Sequence, residues 1–295
     1  MNLILLDHRQ DTVELPAADP RAVHLRQVLR AESGRRVRVG VRGGAVGTAT
    51  LHSTRSGYRL ACTWEDASPA ALPVSLLLGH PRPPVLRRLV RDLSAMRIAR
   101  LLVCTTTLTE RSYLQSSVWD QIDSAVDDGL SQGAHTAAPE IGQYRSLSAA
   151  LAALAEPAPL GGGAPPAGGV PPAGGAPPRD ASMADRRAAP HRWMAATTGS
   201  RRPLLHMLNA VSREGVPDRQ SDPQAVVLAV GPERGFTGAE EQALMEEGFS
   251  RLALGSSILR TETAAVTLCA AVCAALSDLS EGAASAYPHA YEYRE

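Results

Sequence analysis

Hydrophobic positions alternate with polar ones in the first quarter of the chain, then regroup at helical spacing. Val37-Arg-Val-Gly-Val41 and Ala45–Leu51 alternate or run apolar around Arg42-Gly43-Gly44, which predicts two strands joined by a hairpin turn. Tyr58–Trp64 reads as a third strand. A short helix is predicted over Ala22–Arg30, with Val23, Val28 and Leu29 as its apolar side. A small barrel is the natural closure for such short strands, because it leaves no free edge.

From Pro73 the pattern changes. Val74–Leu78 is an apolar strand, Gly79–Pro84 a turn, and Val85–Met96 a helix striped by Leu86, Leu89, Val90 and Leu93. Leu101–Cys104 is the next strand, and Trp119–Leu130 a helix carrying Asp120, Asp123, Asp127 and Asp128. Alternating strands and helices predict a parallel sheet covered by helices. Three approximate six-residue repeats, Gly161-Gly-Gly-Ala-Pro-Pro, Ala167-Gly-Gly-Val-Pro-Pro and Ala173-Gly-Gly-Ala-Pro-Pro, lie within 157–190; the segment cannot build a core and reads as a mobile loop or linker. Arg192–Thr197 resumes the sheet, and Pro217–Pro223 is a polar loop. Two strand–loop–helix units follow. Ala225–Val230 runs into Gly231-Pro-Glu-Arg-Gly-Phe236 and a helix from Thr237; Ser250–Leu254 runs into Gly255-Ser-Ser-Ile-Leu-Arg260 and a long helix from Thr261. The expected organisation is a β-domain over 1–72, an α/β domain over 73–281 with the 157–190 insertion, and a frayed tail over 282–295.

Composition changes this picture little. A chain of 295 residues holds two domains and a sizeable core. Its formal net charge is zero, and every one of its 30 basic residues is arginine, a planar fork suited to phosphate and base edges. Arg21, Arg26, Arg30, Arg35, Arg36, Arg38 and Arg42 crowd the β-domain with only Glu32 as an acidic neighbour in sequence. That patch reads either as a phosphate-backbone contact or as a solvated arginine surface. The four cysteines form no metal-ligand spacing; Cys269 and Cys273 fall one helical turn apart and read as core. No metal is expected. The N-terminus is too short to be a signal peptide, and no apolar run is long enough to span a membrane, so a cytoplasmic protein with free thiols is expected.

Loops at the ends of apolar strands are where α/β proteins build ligand sites. Thr237-Gly-Ala-Glu240 forms a capping box that fixes where the helix starts. The preceding loop lacks a phosphate-binding lysine and the G-x-G-x-x-G pattern, and Glu233 within it would repel a phosphate. Glu233 therefore either holds hydroxyl or ammonium groups of a ligand or caps a backbone N–H. Ile258 and Leu259 either pack inward or wrap a flat apolar group such as an adenine. Glu262 suits the positive end of the last helix, with Thr261 as N-cap.

Gly231-Pro-Glu-Arg-Gly-Phe and Leu254-Gly-Ser-Ser-Ile-Leu-Arg-Thr-Glu-Thr-Ala264 together resemble the motif pair of RsmE-type 16S ribosomal RNA (uracil-N3)-methyltransferases, of the SPOUT or α/β-knot superfamily. Arg21–Arg30 with Gly34 resembles that family's PUA-like RNA-binding barrel; Thr109-Glu-Arg-Ser112 and Gln132 with Pro139-Glu-Ile141 match weaker middle motifs. The resemblance implies an N-terminal PUA-like β-barrel followed by an α/β-knot domain with a deep trefoil knot. It implies bound S-adenosylmethionine, with Thr197, Gly231, Pro232, Glu233, Leu254, Gly255, Ile258, Leu259, Arg260 and Thr263 around it. It implies a homodimer through the knot and 16S rRNA or the small subunit as partner. Arg21, His24, Arg26, Arg30, Arg111 and Arg234 would meet that RNA. Arg260 would lie beside the target base or phosphate, with Glu233 or Glu262 assisting loss of the N3 proton.

Of three departures, two lie outside the cofactor loops and bear on substrate more than on cofactor; the third, Arg234, would be strained if its position needed a positive φ. Arg234 replaces the usual glycine, Asp92-Leu-Ser-Ala-Met-Arg-Ile98 replaces a Lys-x-x-Glu-Leu-Gly-Val run, and His135 replaces an arginine. They leave open a catalytically inactive or retargeted RNA-binding protein on the same fold. An ordinary nucleotide-binding enzyme on a doubly wound sheet is a third reading, opposed by the missing phosphate motifs.

Overall fold

Alternation of side chains across each strand sets the first sheet. In the computed structural model, residues 2–65, 70–155, 191–199, 201–213 and 226–278 are described. The chain first lays down β1 (Ile4–Leu6), β2 (Thr12–Pro16), α1 (Pro20–Gln27), β3 (Arg36–Val41), β4 (Val46–Thr54) and β5 (Gly57–Trp64). They form a five-stranded sheet in the order β1-β3-β4-β5-β2, in which only the β1–β3 pair is parallel. Leu6, Leu15, Val39, Leu51 and Leu60 point to its buried face and enclose Ala22 and Leu25 of α1. The turn at Arg42–Gly44 forms as expected, with Gly43 at φ +66° and the Val41 N–H on the Ala45 carbonyl at 2.9 Å.

The helical reading of Ala22–Arg30 needs correction. Asp19 caps the Arg21 N–H at 2.8 Å and Pro20 opens the helix, so α1 starts early and ends at Gln27. Its buried residues are Ala22 and Leu25, and Val28, beyond its end, is 66% exposed.

The second part lays down β6 (Leu72–Gly79), α2 (Pro83–Ala95), β7 (Ile98–Cys104), α3 (Ile122–Gly133), β8 (Glu140–Tyr144), α4 (Leu147–Ala155), β9 (His191–Ala195), β10 (Arg202–Pro203), α5 (Leu204–Arg213), β11 (Val226–Val230), α6 (Gly238–Glu246), β12 (Ser250–Ala253) and α7 (Thr261–Asp278). Two 3-10 turns, Arg111–Gln115 and Ser117–Gln121, precede α3. Every strand pair in the second sheet is parallel, and its order is β10-β12-β9-β11-β6-β7-β8. Such a sheet needs cover on both faces, and its strands read as continuous apolar runs. Leu76, Leu78 and Leu228 face a core shared with α2, α3, α5 and α7. Leu77, Val227 and Ala229 face the opposite core, shared with α4 and α6. The stripe Leu86, Leu89, Val90 and Leu93 is buried as its spacing predicts, each side chain worth roughly 2 kcal/mol. Cys269 and Cys273 are buried in the first of these cores.

Strand order reverses around β6. The chain runs outward through β7 and β8, then returns to place β9 and later β11 on the other side, with β11 directly against β6. Such a switch opens a crevice at the carboxyl ends of the strands. The segments expected as loops at 157–190 and 217–223, and the tail from 282, lie outside the described residues. Among the described residues no helix is long and apolar enough to cross a membrane.

Candidate active site

Three adjacent strands, β11, β6 and β7, deliver their carboxyl ends to one place. The loop after β11 is tight. Gly235 takes φ +75° and its N–H bonds to the Pro232 carbonyl at 2.8 Å. The left-handed residue is thus Gly235, and Arg234, exposed beside it, bears no strain of that kind. Gly231 has no space for a side chain, since a Cβ there would stand 2.8 Å from the Gly235 carbonyl carbon. Gly79, at the end of β6, faces the same loop, where a Cβ would lie 2.6 Å from the Pro232 nitrogen. Missing side chains on both strands therefore let two backbones touch.

The capping box is present. Thr237 Oγ1 accepts from the Glu240 N–H at 3.3 Å and Glu240 Oε2 accepts from the Thr237 N–H at 2.8 Å. Glu240 also accepts the Thr107 N–H at 2.7 Å, which ties the loop after β7 to the start of α6. Burial alone would raise the Glu240 pKa; the hydrogen bonds from Thr107 and Thr237 outweigh it and leave the carboxyl below its ordinary range.

Glu233 does what a capping reading requires. Its Oε1 accepts the backbone N–H of Arg82 at 2.8 Å, at the start of α2. That helix opens with Pro83 and Pro84, and its own N-cap residue, Arg82, supplies no side-chain cap. The Arg82 guanidinium is fully exposed, and its Nε donates to Tyr113 Oη at 3.2 Å. That bond, with Glu233 and Glu262 in electrostatic reach, holds its pKa above the ordinary arginine value. Glu233 of the first loop and Glu262 in the first turn of α7 thus both act electrostatically on one cation that sequence reasoning missed. Beneath it His80 is buried, its Nδ1 2.9 Å from the Pro81 carbonyl and its ring 6.1 Å from Trp119 and 6.4 Å from Tyr113. Burial pushes the His80 pKa down, so the ring is neutral near pH 7. The sequence marks Arg82 only by its place in the turn after β6, a strand apolar but for Ser75.

The second loop, 254–260, leaves β12 and enters α7. Gly255 takes φ +132°, a conformation that L side chains rarely adopt. Leu254 and Leu259 pack partly against the core, while Ile258 is 83% exposed. Of the two apolar loop residues, one therefore packs inward and one presents itself to solvent. Arg260 is exposed, and its side chain has no hydrogen-bond or ion-pair partner among the described residues. Thr261 is buried at the head of α7, Glu262 is half-buried and Thr263 exposed. Thr197 is exposed two residues beyond β9, the strand between β11 and β12. The two loops and Thr197 thus share one end of the sheet. An exposed apolar residue, close-approach glycines and two carboxylates suit a flat aromatic group with a polar, cationic tail. They do not suit a polyphosphate.

The remaining candidates divide. Arg111 is exposed in the first 3-10 turn, two residues before Tyr113, and Arg234 follows Glu233, so both border the crevice. Arg21, His24 and Arg26 lie on α1, with Arg30 just beyond it. Arg21 is engaged internally, bound to Asp19 at 2.7 Å and to the Leu5 carbonyl at 2.9 Å. His24 is partly buried, which lowers its pKa. Arg38 pairs with Glu65 at 2.8 Å, and Arg42 with Asp123 at 2.9 Å and Asp127 at 3.6 Å. The patch therefore has more acidic partners than its sequence neighbourhood suggested. Arg26, Arg30, Arg35 and Arg36 remain exposed and have no acidic partner among the described residues. Among those residues no cluster of three or more His, Cys, Asp or Glu side chains fits a metal ion.

Residues 185–273, which include both loops, match the family model described as an RNA methyltransferase domain. The chain is 26% identical over 283 residues to ribosomal RNA small subunit methyltransferase E of Treponema pallidum, covering 93% of this chain and 91% of the relative. It is 23% identical to ribosomal RNA small subunit methyltransferase E 1 of Borreliella burgdorferi, over 90% of this chain and 94% of that protein. Among solved structures, the fold is similar to ribosomal RNA small subunit methyltransferase E from Neisseria gonorrhoeae bound to S-adenosyl methionine. The TM-score is 0.59 at 18% identity, over 92% of this chain and 96% of that one. A putative methyltransferase from Legionella pneumophila, in complex with the same cofactor, has a TM-score of 0.60 at 16% identity, over 93% and 97%.

Proposed function

We propose, from a likeness to RsmE-type ribosomal RNA methyltransferases that runs along nearly the whole chain, that this protein methylates N3 of a uridine in 16S rRNA. The observation that carries the reading is that the two family-like loops leave the same end of one parallel sheet, with Glu233 of the first loop bonded to the Arg82 N–H beside them. S-adenosylmethionine bound there supplies an electrophilic sulfonium methyl. Leu254, Ile258 and Leu259 flank its adenine, and Gly231, Pro232, Gly255, Arg260, Thr263 and Thr197 complete the walls. The exposed Ile258 and the crowded Gly231 fit a flat ring pressed against backbone.

What the chain must do is position, exclude water and manage one proton. The uracil N3–H bond breaks, and the proton passes to a carboxylate. Glu262 is the better acceptor, because Oε1 of Glu233 is already occupied by the Arg82 N–H. The electron pair left on N3 would take up the methyl group that the cofactor supplies, its sulfur keeping the carbon–sulfur pair. Arg260 faces the charge that builds on the base or its phosphate. Arg26 and Arg30, with Arg111 and Arg234 at the crevice, hold the RNA; His24 and Arg21, the latter held by Asp19 and the Leu5 carbonyl, complete the α1 side of that surface. The five-stranded sheet acts as the PUA-like module, 1–72, and 73–281 as the knotted methyltransferase domain. The late placement of β11 between β6 and β9, and the packing of α7 back onto β6 and β11, support the knot. A homodimer through that domain, working in the cytoplasm on rRNA or the small subunit, completes the reading.

Small-subunit rRNA from a strain lacking this gene tests it. Mass spectrometry is expected to show loss of 3-methyluridine at one position, restored by the intact gene. An unchanged mark together with RNA binding by the purified protein would favour a non-catalytic RNA-binding role.

A further inference from the structure

We propose that Arg82 is a further substrate-contacting guanidinium, whose terminal amines meet the uracil carbonyl oxygens as N3 loses its proton. This rests on the methyltransferase reading above and adds to it a residue in a segment that reads from sequence as a plain turn.

Arg82 stands beside the first of the two cofactor loops. Its backbone N–H is fixed by Glu233 of the first loop at 2.8 Å, and its charge is felt by Glu262 at the head of α7. The exposed guanidinium is therefore available to a base presented at the first loop. The side chain is also braced. Nε is committed to Tyr113 Oη at 3.2 Å, and the 3-10 turn carrying Tyr113 packs beside the buried His80. Nη1 and Nη2 have no hydrogen-bond partner among the described residues, although the group is fully exposed. The result is a planar donor fork, fixed at its base and open at its tip, a geometry lysine does not offer.

The neighbourhood selects what the fork meets. A phosphate placed there would lie near two carboxylates, Glu233 and Glu262. A uracil edge is neutral in the ground state and becomes anionic only as the N3 proton departs. A cation neutralised on average by carboxylates, but aimed at the carbonyl oxygens, favours that late charge over a permanent one. Interactions of this kind raise kcat more than they lower KM. Tyr113 acts through Arg82 and is a positioning residue.

The test uses the full-length protein with small-subunit RNA lacking the modification. S-adenosylmethionine binding is measured by calorimetry and methyl transfer by tritium incorporation across pH. Arg82→Ala is expected to bind cofactor within about threefold of the parent and to lose about 100-fold in kcat, the scale of one lost transition-state donor. Its pH–rate profile should move to higher pH, because the uracil is no longer assisted in losing its proton. Arg82→Lys should recover part of the rate, and Tyr113→Phe should lower kcat less than Arg82→Ala while keeping cofactor affinity. An unchanged kcat in Arg82→Ala overturns the proposal. So does a rise in RNA KM alone, which would mark a phosphate contact, or a parallel loss of cofactor binding, which would mark a loop support. If the parent itself binds no S-adenosylmethionine or methylates no uridine, the underlying reading fails first. Thermal unfolding of each variant separates any of these losses from misfolding.

Discussion

Glu233 has one oxygen committed to the N–H of Arg82, which is what the capping role left open by the sequence requires. A residue that caps α2 must accept a hydrogen bond; a general base must also accept a proton. Glu233→Gln keeps the acceptor and removes the base. It is expected to unfold at nearly the parent temperature and to lose less than ~100-fold in methyl transfer, the lower bound for loss of a general base. Glu233→Ala loses both functions and is expected to cost about 1 kcal/mol of stability, as for other lost N-terminal caps. A glutamine variant that is stable yet loses far more than that in kcat would make Glu233 the proton acceptor after all. Arg234, its neighbour, posed a conformational question from sequence, since glycine is usual there. The positive φ sits on Gly235 instead, so the substitution leaves the loop backbone unstrained and adds an exposed charge beside the crevice.

At the scale of elements, α2 and α3 cross where side chains are missing. A Cβ on Gly129 would stand 2.7 Å from the Ser94 Cβ, and one on Gly133 would stand 2.6 Å from the Ala95 carbonyl oxygen. α3 ends on Ala134 at φ +56°, and the next residue, His135, turns back so that Nε2 lies 3.2 Å from that same carbonyl. Burial lowers the His135 pKa to about 4, against the ordinary 6.5; the Ala95 carbonyl offsets this only in part. A depressed folded pKa means that the unfolded chain takes up the proton first as pH falls. Stability is then complete above pH 6.5 and drains between 6.5 and about 4, by up to about 3 kcal/mol. Urea unfolding at pH 7 and pH 5 is expected to show the loss, and His135→Gln to flatten it; an equal slope in both proteins would remove His135 as the cause. Where periodicity was strong, such elements were legible: the α2 stripe and the α6 capping box stand as their spacing predicts. α4, Leu-Ser-Ala-Ala-Leu-Ala-Ala-Leu-Ala, hides its period in alanines, and β8 is short and only half-buried beside β7, so neither announces itself. At the site, both loops were visible as motifs. Arg82 and Tyr113 were not, because 31 residues separate partners that only the parallel β6–β7 pairing brings together.

At the scale of the whole molecule, the hairpin tip between β3 and β4 is the clamp that joins the two sheets. Gly43 N–H donates to the Thr136 carbonyl and Thr136 Oγ1 donates to the Gly44 carbonyl, both at 2.7 Å, just after α3. Asn2 and Leu3 add backbone bonds to the Ser131 carbonyl at 2.9 and 3.0 Å. Between these lies a cleft of about 450 Å³, lined in part by Asp7, Arg21, Arg42, Asp127 and Asp128. Its charge balance depends on Arg42. Burial raises the Asp127 pKa, Arg42 opposes this, and Asp123, Asp128 and Asp7 reinforce it. Without Arg42, the Asp7 carboxylate, just beyond β1, would face those of α3 with Arg21 as the remaining cation of the cleft. The Arg42–Asp123 pair itself is worth little, because that carboxylate is 78% exposed. The expected cost of Arg42→Ala is therefore about 1 kcal/mol at low salt, mostly from repulsion across the cleft. It should shrink as ionic strength rises and screens the carboxylates, whereas loss of a packing contact would not respond to salt. Thermal unfolding of Arg42→Ala at low and high sodium chloride measures it. A deficit that stays constant across that range would mean the hydrogen bonds and packing hold the two sheets together without help from charge. On the proposed reading, RNA would contact α1 and the crevice together and so need both sheets in register. Arg42→Ala should therefore weaken methyl transfer to RNA while leaving S-adenosylmethionine affinity unchanged.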